Sequence, residues 1–110
     1  MVADMLRKFI VPGWIWTHLP MGEMRNPITA ARLKRMGTGR GWPDLMFVSI
    51  QGEVCFLELK RRGHKLTEDQ QAIGTFLHAA EIPFDCVDNF DDAMITLKTW
   101  GILRAGIDVR

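Results

Sequence analysis

The chain has 110 residues, 47% of them hydrophobic and 25% charged, with a formal net charge of +1. That composition suits one domain with a single core and excludes an intrinsically disordered chain. No apolar run approaches the roughly 18 residues of a membrane helix, and MVADMLRKFIVPGW at the start lacks the long apolar stretch of a secretory leader, so a cytoplasmic protein is expected.

Taken in order, residues 2–10 predict a short helix stopped by Pro12-Gly13, and residues 14–19 are aromatic and β-branched enough for a strand. A loop follows over 20–27. Asn26 as N-cap and Pro27 in the first turn open a second helix that ends at Gly37. A glycine-rich loop over 37–43 leads to two strands, 44–50 and 53–60, joined by a turn around Gln51-Gly52. Thr67, with Gln70 three residues on, fits a capping box for a helix to about Ala80. Residues 84–87 predict a strand. Asn89 caps a last helix through about Trp100, stopped by Gly101. The order α, β, α, β, β, α, β, α predicts an α/β fold with a mixed sheet flanked by helices, as a single domain over 1–110.

Cys55 and Cys86 each fall in a predicted strand and read as reduced interior residues. His18, His64 and His78 show no zinc-ligand spacing. Charge is segregated. Arg25, Arg32, Lys34, Arg35 and Arg40 lie in a stretch without acids, and Lys60, Arg61, Arg62 and Lys65 follow the third strand. Glu81, Asp85, Asp88, Asp91 and Asp92 form an acidic stretch. Two basic clusters flanking one hairpin point to a polyanionic partner.

The hairpin 43-PDLMFVSIQGEVCFLELK-60 carries the chemistry. Alternation puts Glu58 and Lys60 on one face with Val54 and Phe56 behind them, while Cys55, Leu57 and Leu59 take the other, apolar face. A two-residue turn would set Asp44 opposite Leu59, on the wrong face. A three-residue turn sets it opposite Glu58 or Lys60, so an odd turn is predicted, with Gly52 at positive φ. Two carboxylates and an ammonium then converge. Adjacent carboxylates repel unless a cation separates them. A hard divalent ion suits oxygen ligands, and a lysine beside it orients a water, which is chemistry for hydrolysing a phosphodiester. The plainer alternative is a surface salt bridge of Lys60.

Gly41-Trp42-Pro43-Asp44 followed by Glu58-Leu59-Lys60 resembles the PD-(D/E)xK nuclease signature. The wider set is similar to its VRR-NUC (virus-type replication-repair nuclease) branch. That set comprises His18-Leu19-Pro20-Met21-Gly22, Arg25, the stretch Ala30-Ala31-Arg32-Leu33-Lys34, Gly37, Gly41 to Leu45, Glu58 to Lys60, and Gln70. The resemblance spans about residues 16–100 and implies a restriction-endonuclease-like core. It also implies Mg2+ or Mn2+ held by Asp44, Glu58 and the Leu59 carbonyl, with Lys60 positioning water. Gln70 would face the same site, although the capping box already accounts for it and both readings stand. Arg32, Lys34, Arg35, Arg40, Arg61, Arg62, Lys65, Arg25 and His18 would contact DNA.

Two positions depart from the pattern. Members usually carry an acid on an N-terminal helix, for which only Asp4, or Glu23 in the loop, is available. Met21 stands where Asn is frequent. The implied protein is a metal-dependent DNA endonuclease, with branched or Holliday-junction DNA as candidate substrate, acting as a homodimer in viral or mobile-element replication, repair or packaging. Its cytoplasm would then be the host's. Alternatives are a catalytically inactive nucleic-acid-binding module of the same fold, and an acidic interaction domain that mimics nucleic acid. The four tryptophans offer base stacking or core packing, and the apolar end at Trp100, Ile102, Leu103 and Ile107 either closes the core or makes a dimer contact.

Overall fold

The two central strands are near-continuous apolar runs, and they form the spine of the structure. The computed structural model describes residues 1–19, 27–37 and 39–106. Helix α1 spans Val2–Phe9, strand β1 Trp14–His18, helix α2 Pro27–Arg35, strand β2 Leu45–Ser49 and strand β3 Val54–Leu59. Helix α3 then spans Glu68–Ala79, strand β4 Phe84–Val87 and helix α4 Phe90–Thr99. Every predicted element is present, and the α/β class holds, as a four-stranded mixed sheet in the order β1-β2-β3-β4. β1, β2 and β3 run antiparallel, whereas β4 pairs parallel with β3. That parallel step needs a crossover, which α3 supplies.

The β2–β3 turn sets the phase of the site. Cα partners are Leu45↔Leu57, Met46↔Phe56, Phe47↔Cys55 and Val48↔Val54. Ser49 N–H donates to the Glu53 carbonyl at 2.9 Å, so Ile50, Gln51 and Gly52 form a three-residue turn. Gly52 has φ 87°, the left-handed conformation expected of it. The Ser49 hydroxyl fixes this turn from inside, accepting from the N–H of Gln51 at 3.2 Å and of Glu53 at 3.0 Å. Ser49 is buried, as are the polar side chains of Glu58 and Gln70.

Alternation then divides the sheet into two faces. On one, Leu45, Phe47, Cys55, Leu57 and Val87 pack against Leu6 of α1 and against Ala93, Met94 and Leu97 of α4. Ile102 and Leu103 join this core, and the chain around them is tied to the end of α1 by Val11 N–H donating to the Ile102 carbonyl at 2.8 Å. The apolar C-terminal end therefore closes the core at these two residues, while Ile107 lies outside the described residues. On the other face Phe56 packs against Trp42, ring centroids 5.7 Å apart, and α3 covers Phe84 and Glu58. Cys55 and Cys86 are free thiols, the first buried and the second half-buried. Among the described residues no helix is long and apolar enough to cross a membrane.

Ser49→Ala strips an acceptor from two turn N–H groups. Urea unfolding should show a loss of about 1 kcal/mol, in line with a lost side-chain hydrogen bond.

Candidate active site

The register continues one step beyond β2 and places Asp44 opposite Glu58, on the same face. One step further, Pro43 stands opposite Leu59. Odd-numbered residues of β2 are those that bond to β3, as Ser49 does to Glu53. Pro43 has no N–H, so it can offer Leu59 no ladder donor. The Leu59 N–H donates to the Asp44 Oδ2 at 2.8 Å. The Leu59 carbonyl is left without an N–H opposite it on β2. Proline thus ends the ladder where the acids begin, and Pro43 itself is fully buried.

Glu58 is only 4% exposed. Its Oε2 accepts from Gln70 Nε2 at 3.1 Å and lies 3.6 Å from Lys60 Nζ. Its Oε1 is buried with no hydrogen-bond partner among the described residues. Burial, reinforced by the neighbouring Asp44 charge and partly offset by Lys60, pushes the Glu58 carboxyl up to about 7 from its ordinary 4.5. A buried carboxylate oxygen without a donor costs stability, so this group is poised to accept a cation.

Gln70 closes the capping box with its oxygen and turns its amide nitrogen to Glu58. Its Oε1 accepts the Thr67 N–H at 2.9 Å while Thr67 Oγ1 accepts the Gln70 N–H at 3.2 Å, completing the capping box. Its Nε2 remains to reach Glu58. The preceding glycine loop is pressed against this turn of α3. Gly41 has φ +85°, and a Cβ there would overlap the Asp69 carbonyl and lie 2.8 Å from the Gln70 nitrogen. Only glycine allows that approach.

Two carboxylates and a backbone carbonyl form a hard-oxygen donor set, and the unpartnered Glu58 Oε1 is a donor atom in want of a cation. The residues therefore fit Mg2+ or Mn2+. The half-buried Cys86, cross-strand from Glu58 on β4, is held protonated by burial and then by the Glu58 charge, which disfavours a soft-metal site. No third acid completes the set: among the described residues no group of three His, Cys, Asp or Glu side chains converges. Asp4 lies instead on the exposed side of α1, paired with Arg7 at 3.3 Å. Glu23 and Arg25 are outside the described residues.

The remaining basic candidates are peripheral. Arg61, Arg62 and Lys65 are exposed in the segment that leaves β3 immediately after Lys60, and Arg40 is exposed in the glycine loop. Arg32, Lys34 and Arg35 are exposed on α2. His18 pairs with Leu45, which puts it on the core face of the sheet, away from the carboxylates. Sequence reasoning missed Cys86 as a neighbour of Glu58, because a parallel crossover leaves no local register signal. It also missed the ladder-ending role of Pro43, although a proline next to a strand was the available cue. The chain matches no family model, no curated protein and no solved structure.

Between about pH 4.5 and 7 the folded chain holds a proton on Glu58 that the unfolded chain has released. Stability should therefore fall as pH rises through that window and level off above it. Glu58→Gln should remove this dependence, so its Tm advantage over the wild type should grow from pH 4.5 to 7 in a calorimetric series. Gln70→Glu keeps the acceptor for Thr67 but exchanges the Glu58 donor for a second carboxylate. At pH 8 it should lose on the order of 1–2 kcal/mol in urea unfolding, with most of the loss recovered at pH 5. Unchanged stability at pH 8 would leave Gln70 a cap alone.

Proposed function

We propose that the protein is a Mg2+- or Mn2+-dependent DNA endonuclease of the PD-(D/E)xK type, similar to the VRR-NUC branch. The observation that carries this reading is the buried Glu58 carboxylate, one oxygen unpartnered, flanked by Asp44, Lys60 and Gln70. A surface salt bridge would not bury its acid or surround it in this way. The ordered sequence motifs support the same reading.

Asp44, Glu58 and the Leu59 carbonyl would hold the ion. When bound, it supplies positive charge that acidifies water and stabilises charge developing on a phosphate oxygen. The chain's own groups do the rest. Gln70 restrains the Glu58 carboxylate and leaves Oε1 available. The Lys60 ammonium, 16% exposed on its side chain, stands next to Glu58, where it orients the attacking water and favours charge on the phosphate. The exposed cations Arg40, Arg61, Arg62 and Lys65, with Arg32, Lys34 and Arg35 of α2, provide backbone contacts that give affinity without base specificity. One observation favours a second reading, a non-cleaving DNA-binding module: no third acid joins Asp44 and Glu58 among the described residues.

Calorimetric titration of Mn2+ with a four-way-junction cleavage assay on the same samples separates the two. The endonuclease binds Mn2+ and cuts, and Asp44→Asn loses both. Lys60→Met retains Mn2+ binding while cleavage falls on the order of 10²- to 10⁴-fold. DNA binding with neither Mn2+ uptake nor cleavage would establish the non-cleaving module.

A further inference from the structure

The two edges of the sheet are finished differently. On β4 the odd-numbered residues turn to β3: the Pro83 carbonyl accepts the Phe56 N–H at 2.9 Å and the Val87 carbonyl accepts the Lys60 N–H at 2.8 Å. Phe84 and Cys86 therefore turn their backbone outward. Side chains cap this edge. His78 Nε2 donates to the Phe84 carbonyl at 3.2 Å, and the Cys86 N–H donates to Asp85 Oδ1 at 2.9 Å. Thr96 Oγ1 donates to Asp85 Oδ2 at 2.6 Å and holds that carboxylate in place. β1 forms the opposite edge. There the Ile50 N–H donates to the Gly13 carbonyl and the Leu19 N–H to the Asp44 carbonyl, each at 2.7 Å. Odd-numbered residues of β1 thus turn to β2, and Trp16 turns both its N–H and its carbonyl outward. Among the described residues nothing caps these two groups. An open edge of this kind can take up a further strand.

The side chains along β1 select which strand. In antiparallel pairing, a residue opposite Trp16 exchanges both backbone bonds with it, and its side chain lies on the same face as the Trp16 ring. On that face the exposed Arg7 guanidinium stands 6.0 Å from the ring centroid, where it would meet an acid. Asp4 also reaches Arg7, at 3.3 Å, in an exposed pair that solvent weakens. The two neighbours of that acid fall opposite Ile15 and Thr17, on the other face. Ile15 is 71% exposed and begins a row across the sheet, Ile15 to Val48 to Val54. A β-branched side chain beside it extends the row. We propose that the β1 edge binds an extended segment of a partner protein, antiparallel, with an acidic residue opposite Trp16 and a β-branched residue on each side of it. A second copy of this chain suits the edge poorly, because pairing β1 with β1 about Trp16 brings two Arg7 guanidinium groups together. The binding does not depend on the endonuclease reading.

The probe is a fluorescein-labelled peptide, Thr-Val-Glu-Val-Thr, titrated with the full chain and followed by anisotropy. N-methylation of its glutamate removes the N–H that faces the Trp16 carbonyl and should weaken binding about tenfold. N-methylation of either valine, whose N–H faces away from β1, should leave the affinity unchanged. Arg7→Glu should weaken the same peptide roughly fivefold and tighten Thr-Val-Lys-Val-Thr by a similar factor, a gain that an unfolded variant could not show. In amide-exchange NMR the Trp16 N–H should become protected when peptide is added, while the Cys86 N–H should not change. Absence of binding at about 1 mM peptide overturns the proposal. So do N-methyl groups that act equally at glutamate and valine, or a charge preference unmoved by Arg7→Glu. A dimer that protects the Trp16 N–H without peptide also overturns it, because a second copy then occupies the edge. None of these readouts involves DNA cleavage, so the edge and the endonuclease reading stand or fall separately.

Discussion

A three-residue turn at Ile50-Gln51-Gly52 determines what the two faces of the sheet contain. Side chains alternate strictly along a strand, so adding or removing one turn residue would move Asp44 to the face of Leu57 and Leu59. The apolar core would then take up a carboxylate, and Glu58 would lose its counterpart. Gly52 in the left-handed conformation and the Ser49 hydroxyl inside the turn hold the count at three. The packing of α1 and α4 on one face and of α3 on the other follows from that phase. So does the meeting of Asp44, Glu58, Lys60 and Gln70 at one end of the hairpin.

Within this frame Glu58 is a local liability. Its ionised form is buried beside another acid, one oxygen lacks a donor among the described residues, and the Lys60 ammonium stands 3.6 Å away. Gln70 partly compensates, and it can do so because its amide has two ends. The oxygen closes the capping box of α3, and the nitrogen reaches the carboxylate. One side chain thus ties the start of a helix to the end of a strand. Gly41, flush against the same turn, sets the glycine loop at that junction. An arrangement that concentrates such cost around a single carboxylate is characteristic of sites kept for chemistry rather than for stability.

Much of this was legible in the residues. The eight elements follow from caps, prolines, glycines and periodicity. The odd turn follows from asking which register brings Asp44 to Glu58. What the sequence withheld depends on contacts between distant segments. The parallel pairing of β4 with β3, which sets Cys86 beside Glu58, has no signature in either strand. The dual use of Gln70 was visible only as two competing explanations, because a capping motif is local and the partner of its spare nitrogen is not. The N-terminal acid was sought at Asp4 on spacing from a family pattern. In the structure, α1 turns that residue to solvent and presents Leu6 to the core instead.

Asp44 has a second occupation that separates its fate from that of Glu58. The Asp44 carboxylate accepts the Leu59 N–H at 2.8 Å, a bond within the chain itself. An oxygen acceptor at position 44 therefore serves the end of the hairpin whether or not the protein ever touches DNA. Glu58 accepts from Gln70 but is buried beside another acid, and a glutamine, which keeps an acceptor oxygen, would suit its surroundings better. If the cleavage proposed for this protein were not under selection, Glu58 would be the first of the pair to drift, while Asp44 or an asparagine in its place would persist. The acid of the Pro-Asp pair is thus a poor witness to activity, and the buried glutamate is the informative one.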